Sequence, residues 1–148
     1  MAVNYIDCKP DEEGKYGPTD KSDLYYKPNP VHNPKAKKRK DKTRWIIEPP
    51  GQFCVFNDAV ANDRYIKDEG FLGIDIRDNL KPAKLGENGE VLAVFHQVSN
   101  ANEPWHGNPE SANRLNNDYD DLIEKMKRSK LINKSSAKKI LTGKECDH

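Results

Sequence analysis

The chain has 148 residues, which is enough for one domain of ordinary size. Hydrophobic residues make up 34% of it and charged residues 33%, so a packed core is expected to use only part of the chain. The formal net charge of +1 excludes a general electrostatic attraction to nucleic acid or membranes and leaves only local charged segments as binding candidates.

The spacing of the cysteines and the pattern of apolar runs exclude further classes of protein. The three cysteines lie far apart and include no CxxC pair, so neither a disulfide framework nor a structural zinc site is expected. Cys54, within an apolar run, is predicted to be a buried thiol. No run approaches the ~20 apolar residues of a membrane span, and the first residues lack a signal-peptide pattern. We expect a cytoplasmic protein, or one exported without a cleavable signal peptide, with no membrane partner.

The first part of the chain, residues 1–43, is predicted to be an extended and largely disordered arm. Five prolines interrupt it, and it offers few apolar side chains for burial. Tyr25 and Tyr26 are the residues expected to hold this arm against a core.

A basic run closes the arm, and its members are Lys35, Lys37, Lys38, Arg39 and Lys40. Clustered cations release counterions from a nucleic-acid backbone, which makes this run a candidate phosphate-binding segment. The alternative is a solvated basic linker, the more ordinary explanation for a single charged run in a near-neutral protein.

Residues 44–142 are predicted to form a compact α+β domain, followed by a tail over residues 143–148. The strands show β-rich composition or alternation of apolar and polar residues, and the helix between them has a plausible N-cap. The predicted elements of the first half are a hairpin of strands over 45–47 and 52–56, a helix over 57–66, a strand over 70–76, a loop over 77–89, and a strand over 91–98.

The last third of the chain is predicted to be helical. Apolar residues from Leu115 to Met126 recur at helical spacing and form one stripe. A second, short helix over residues 136–141 is expected to end before Gly143. The predicted fold is therefore a small antiparallel sheet of about four strands with two C-terminal helices packed on it.

The densest group of reactive side chains lies in residues 90–109. It includes His96 at the end of a predicted strand and His106 in a predicted turn. Two imidazoles that titrate near neutrality can act as base and acid in cleaving RNA through its own 2′-hydroxyl, without a metal. The alternative is that both histidines are structural. The candidate cations for the phosphorane charge are Arg64, Lys84 and Arg114.

Trp105, beside this pair, has two interpretations. Its indole either anchors the loop to the core or stacks on a nucleic-acid base. A metal site formed by His96, Glu103 and His106 is disfavoured, because their spacing matches no standard ligand pattern. No cofactor-binding motif is present, so no cofactor is expected.

Residues 25–35, with the sequence YYKPNPVHNPK, resemble the linker that precedes toxin domains at the C-terminal ends of bacterial polymorphic toxins. The resemblance covers these residues alone and rests on their richness in Asn, Pro, His and Lys. It implies that the residues after it form a compact effector, and such effectors are often nucleases, notably RNases. Here the segment follows a short start rather than a large delivery protein.

These observations predict a nucleic-acid-interacting protein and, in its specific form, a metal-independent RNase-type bacterial effector that uses His96 and His106. The alternative is a non-enzymatic protein-binding module, such as an immunity, adaptor or phage-encoded inhibitor protein. RNA binding predicts an affinity that falls steeply with salt, whereas the binding module predicts tight stoichiometric binding with weak salt dependence. The sequence gives no indication of the oligomeric state.

Overall fold

The computed structural model describes residues 9–29, 32, 34, 43–66, 70–77, 81–97, 103–110 and 123–124. The elements named from this part are helix α1 (Pro49–Ala61) and the strands β1 (Tyr65–Ile66), β2 (Gly70–Ile74), β3 (Ile76–Arg77), β4 (Lys81–Pro82), β5 (Leu92–Gln97) and β6 (Trp105–Glu110). The predicted α+β class is confirmed. Within the same residues, no helix has the length and apolar character needed to cross a bilayer.

The main sheet is antiparallel and has the order β1-β2-β5-β6. Strand β5 lies inside it, paired with β2 on one side and with β6 on the other. Because β1 contributes only two residues, the three longer strands form the body of the sheet. Strands β3 and β4 pair separately as a short ribbon. The predicted strand over 91–98 thus corresponds to β5, and most of the strand predicted over 70–76 corresponds to β2.

The predicted hairpin of residues 45–47 and 52–56 is wrong, because the second of these segments lies inside α1. The first residues of a helix have N–H groups without intrahelical acceptors, so Pro49 and Pro50 fit there without losing a hydrogen bond. The helix predicted over 57–66 therefore begins earlier, at Pro49, and ends at Ala61. Trp45 forms an isolated bridge with Gly86 instead of a hairpin strand.

The core lies between α1 and one face of the sheet, and Phe95 is at its centre. The Phe95 ring is fully buried, with ring centroids 5.1 Å from Phe56, 5.6 Å from Tyr26 and 5.9 Å from Trp45. These aromatic contacts join the helix, the sheet and both preceding segments in one cluster. Cys54 is a buried thiol in the same cluster, as predicted.

Residues 9–29, expected in an extended arm, contribute to this core. Tyr16 and Tyr26 exchange two backbone hydrogen bonds, with N···O distances of 2.7 and 2.8 Å. Tyr26 is fully buried, and its hydroxyl donates to Oε1 of Gln52 at 2.6 Å. Tyr26 also forms a parallel bridge with Trp105, so the segment continues the sheet beyond β6. The expected contact through Tyr25 and Tyr26 is made by Tyr26, while Tyr25 is 41% exposed.

The opposite face of the sheet is also covered. Leu72, Ile74 and Leu92 point away from α1 and are almost completely buried. Ile123, in a short described helical segment with Glu124, is buried as well. The rest of the two predicted C-terminal helices, and the tail over 143–148, lie outside the described residues.

Candidate functional site

The two candidate catalytic histidines are cross-strand partners. The register of β5 and β6 places His96 directly opposite His106. Directly opposite residues point to the same face of a sheet, with Cβ atoms roughly 4.5–5.5 Å apart. His96 is exposed and His106 is partly exposed, so both rings are accessible from solvent. The turn predicted around Trp105 and His106 is wrong, because both residues lie in β6.

A backbone contact fixes the tautomer of the His106 ring. Its Nδ1 lies 2.8 Å from the carbonyl oxygen of Lys27. A carbonyl oxygen only accepts hydrogen bonds, so Nδ1 carries a proton and donates it. In the neutral ring the lone pair is then on Nε2. The His106 imidazole is therefore oriented by the N-terminal segment, which lies along the edge of β6.

A third histidine, His32, lies near this pair and was missed by sequence reasoning. It is buried, and its Nδ1 donates to the carbonyl oxygen of Thr43 at 2.7 Å. Its own carbonyl accepts a hydrogen bond from the Trp45 N–H at 2.8 Å. These two contacts bring the end of the N-terminal segment back against the start of the core. No periodic pattern marks His32, because its position depends on this return of the chain.

The electrostatic environment favours the neutral form of His96. Desolvation lowers the pKa of His96 below its ordinary value of 6.5, and the nearby His106 and His32 lower it further. A proton on either neighbouring ring therefore disfavours a proton on His96.

A groove opens at the end of the sheet where β2 begins, β5 ends and β6 begins. Its volume is about 430 Å³, and the side chains that line it include Leu24, Tyr65, Phe71, His96, Gln97 and Trp105. Gly70 completes the lining with φ at +122°, and a Cβ there would collide with the carbonyl oxygen of Phe95. The groove therefore depends on glycine at this position and lies directly beside one of the two histidines.

Trp105 combines a packing role with a place in the groove. Its indole contacts Phe71 and Phe56, with ring centroids 5.1 and 5.9 Å apart, so it anchors β6 to the core. It also lines a second cavity of about 240 Å³, on the side of Lys15 and Glu103. Its Nε1 is buried and has no hydrogen-bond partner in the described part of the chain. The core-anchoring interpretation is therefore correct, and stacking on a base stays a prediction.

The structure separates the candidate cations. Arg64 is 5% exposed and binds Asp58 at 2.8 Å near the end of α1, so it serves the fold. Lys84 is exposed, and Arg114 lies outside the described residues. The predicted basic residues also lie outside them; these are Lys35, Lys37, Lys38, Arg39 and Lys40. Their binding to phosphate stays a prediction.

Metal ligation finds no support in the described ranges. No group of three or more His, Cys, Asp or Glu side chains there is arranged to hold a metal ion. His96, Glu103 and His106 are included in that search, because all three belong to the described strands or their ends.

Comparison of the chain with protein-family models, with curated proteins and with solved structures finds no match in any of the three. The functional argument therefore rests on the residues of this chain.

Proposed function

We propose that the protein binds RNA and cleaves it without a metal, with His96 and His106 as base and acid. The observation that carries this proposal is the register of β5 and β6, which sets the two imidazoles opposite each other on one accessible face. Acid–base partners must reach one substrate, and directly paired residues on neighbouring strands meet that requirement.

The two rings have different roles in the proposed reaction. Neutral His96 takes the proton of the RNA 2′-hydroxyl, because its lowered pKa keeps it deprotonated near neutrality. The 2′-oxygen attacks the phosphorus, and protonated His106 donates its Nε2 proton to the departing 5′-oxygen. The products are a 2′,3′-cyclic phosphate and a 5′-hydroxyl. The Lys27 carbonyl, which accepts from Nδ1, stabilises the His106 imidazolium.

Substitution of each histidine tests the chemistry. We expect His96→Ala and His106→Ala each to lower kcat for a single-stranded RNA by about 10²–10⁴-fold, the usual contribution of a general acid or base. Asn108→Ala is the matched control, because Asn108 lies on the same face of β6, two residues from His106. The parent is expected to show a bell-shaped pH–rate profile and to leave the DNA strand of the same sequence uncut. Equal cleavage by the parent and the double histidine variant would refute the chemistry.

The basic run is proposed to bind phosphates of the RNA backbone. The matching variant replaces Lys35, Lys37, Lys38, Arg39 and Lys40 with glutamine in the full chain. For every phosphate that the variant no longer neutralises, the slope of log K against log salt is expected to flatten by roughly 0.7 for a single strand. Deleting residues 1–43 is not a usable test, because it removes Tyr16 and Tyr26 from the core. An unchanged slope would assign the run to a solvated linker.

Three finer features belong to the same proposal. We infer that residues 111–142 form two helices that cover the part of the second face formed by Leu72, Ile74 and Leu92, and leave His96 and His106 open; the burial of these three residues and of Ile123 supports this. The linker resemblance supports a bacterial effector that is cytoplasmic or exported without a cleavable signal. The alternative function is a non-enzymatic binding module, such as an immunity, adaptor or phage-encoded inhibitor protein. In that case the protein would bind a protein partner stoichiometrically, with weak salt dependence and no turnover.

A further inference from the structure

The groove beside His96 has aromatic walls. Tyr65 and Phe71 are cross-strand partners, with ring centroids 5.3 Å apart and planes at 62°. Phe71 in turn contacts Trp105 at 5.1 Å and 61°. The three rings form a continuous series, and Tyr65 at its outer end is 50% exposed. A large aromatic side chain left half in water beside a concave surface is typical of a ligand site.

Polar groups accompany these rings. Gln97 lines the groove, and its Nε2 donates to the carbonyl oxygen of Glu103 at 2.8 Å, which fixes the orientation of its amide plane. Trp105 also lines the groove, although its Nε1–H, which has no acceptor within the described residues, is buried. Few oriented polar groups among aromatic walls suit a flat ligand that carries its own donors and acceptors. A nucleobase has these properties.

The place of the groove also matters. His96 belongs both to the groove lining and to the histidine pair. The register places the side chains of Tyr65, Phe71 and Trp105 on the face of the sheet that carries Phe95, and that of His96 on the opposite face. A base on the aromatic walls would therefore lie across the end of β5 from the His96 ring. Stacking on protein rings requires a base that is not stacked in a duplex, so the geometry selects unpaired nucleotides.

We propose that this groove is a nucleobase subsite, in which Tyr65 stacks on one unpaired base of single-stranded RNA. The inference rests on the proposed function and names its substrate class as single-stranded RNA. The groove volume of about 430 Å³ lies within the range of roughly 300–1,000 Å³ usual for small-ligand sites.

Binding without cleavage tests the subsite. The probe is a fluorescein-labelled 2′-O-methyl RNA strand of about eight nucleotides, which has no 2′-hydroxyl to react. Its Kd is measured by anisotropy for the full chain. We expect Tyr65→Ala to raise Kd by about 5- to 150-fold, the equivalent of losing one base–aromatic stack. Tyr65→Phe keeps the ring and is expected to stay within about twofold of the parent.

Two exposed residues supply matched controls. Ile46 is 50% exposed, like Tyr65, but does not line the groove. Tyr25 is an exposed tyrosine that lines the smaller cavity instead. Ile46→Ala and Tyr25→Ala are expected to bind the strand as the parent does. The same strand annealed to its complement is expected to bind more weakly to the parent and to lose nothing further in Tyr65→Ala.

The outcomes separate the subsite from the chemistry. If circular dichroism shows that Tyr65→Ala is folded and its Kd equals that of the parent, the subsite proposal is overturned, even if the parent cleaves RNA. A raised Kd in Tyr65→Ala, with no cleavage of unmodified RNA by the parent, supports the subsite and refutes the histidine chemistry. Failure of the parent to bind any single strand overturns both.

Discussion

Two neighbouring pairs in the β5–β6 ladder serve opposite purposes. Phe95 pairs with Gly107 and points into the core, where the Phe95 ring is fully buried. The next pair, His96 and His106, points to the other face and is open to solvent. One step along the strand therefore changes a packing position into a candidate reaction position. Because the same two strands carry both pairs, the packing of Phe95 in the core also fixes the backbone positions of His96 and His106.

The largest expected effect is on the buried pair. Phe95→Ala removes the ring that contacts Tyr26, Trp45 and Phe56, and we expect it to lower the free energy of unfolding by about 3–5 kcal/mol. Urea denaturation measures the loss. His96→Ala, one residue further, is the control and should change stability by no more than about 0.5 kcal/mol. Equal losses of unfolding free energy in the two variants would show that His96 is as important for packing as Phe95.

Gly107 is the second way to disturb the buried pair. A Cβ at this position would collide with the Phe95 ring, so Gly107→Ala is expected to cost about 1–3 kcal/mol from overpacking. Asn108→Ala is the neighbouring control. Combining Gly107→Ala with Phe95→Leu should cost less than the sum of the two single changes, because the smaller side chain makes room for the methyl group. Strict additivity in urea denaturation would contradict the contact.

A smaller effect is expected at the hydrogen bond behind Phe95. Tyr26→Phe leaves the ring in place and removes the hydroxyl that donates to Gln52 Oε1 at 2.6 Å. Because Gln52 is fully buried, its oxygen would be left without this donor, at a cost of about 1–2 kcal/mol. Thermal unfolding by circular dichroism measures the change. Tyr25→Phe, at the exposed neighbour, should leave Tm unaltered.

The smallest effect concerns the open pair and pH. Since the pKa of His96 is lowered in the folded protein, the unfolded chain binds more protons between that pKa and 6.5. Stability is therefore full above about pH 6.5 and falls as pH drops from there to the folded-state pKa. The slope of stability against pH is expected to be shallow, because His96 is exposed.

NMR titration should also show that His106→Asn moves the pKa of His96 upward, because His106 is one of the causes that lower it. An unmoved pKa would mean that the rings do not interact.

Strands with strict alternation were predictable from the sequence. Leu72 and Ile74 in β2, and Phe95 and His96 in β5, alternate between faces as their spacing predicts, because burial follows the same period of two. Segment 52–56 was not predictable in this way. Its β-like composition and the preceding Pro-Pro-Gly suggest a hairpin, but burial on the sheet stabilises it as helix α1.

Strand β6 shows a different limit. Its residues include Gly107 and Pro109, which disfavour a strand, yet the segment pairs with β5 over six residues. The pairing reflects tertiary contacts: Gly107 leaves room for Phe95, and Trp105 bonds on its other side to Tyr25 and Lys27. The expectation that the chain doubles back and brings the two histidines together is met, but by a strand pair and not by a turn. Their catalytic role stays a prediction.

The bridge between the N-terminal segment and β6 also determines when the protein can fold. The hydrogen bond from His106 to Lys27 spans 79 residues, and that from Trp45 to Gly107 spans 62. Contacts of such sequence separation are slow to form. During synthesis, Tyr16 and Tyr26 leave the ribosome long before the strand that completes their environment. The core is therefore expected to close late, in one cooperative step, after β6 has emerged.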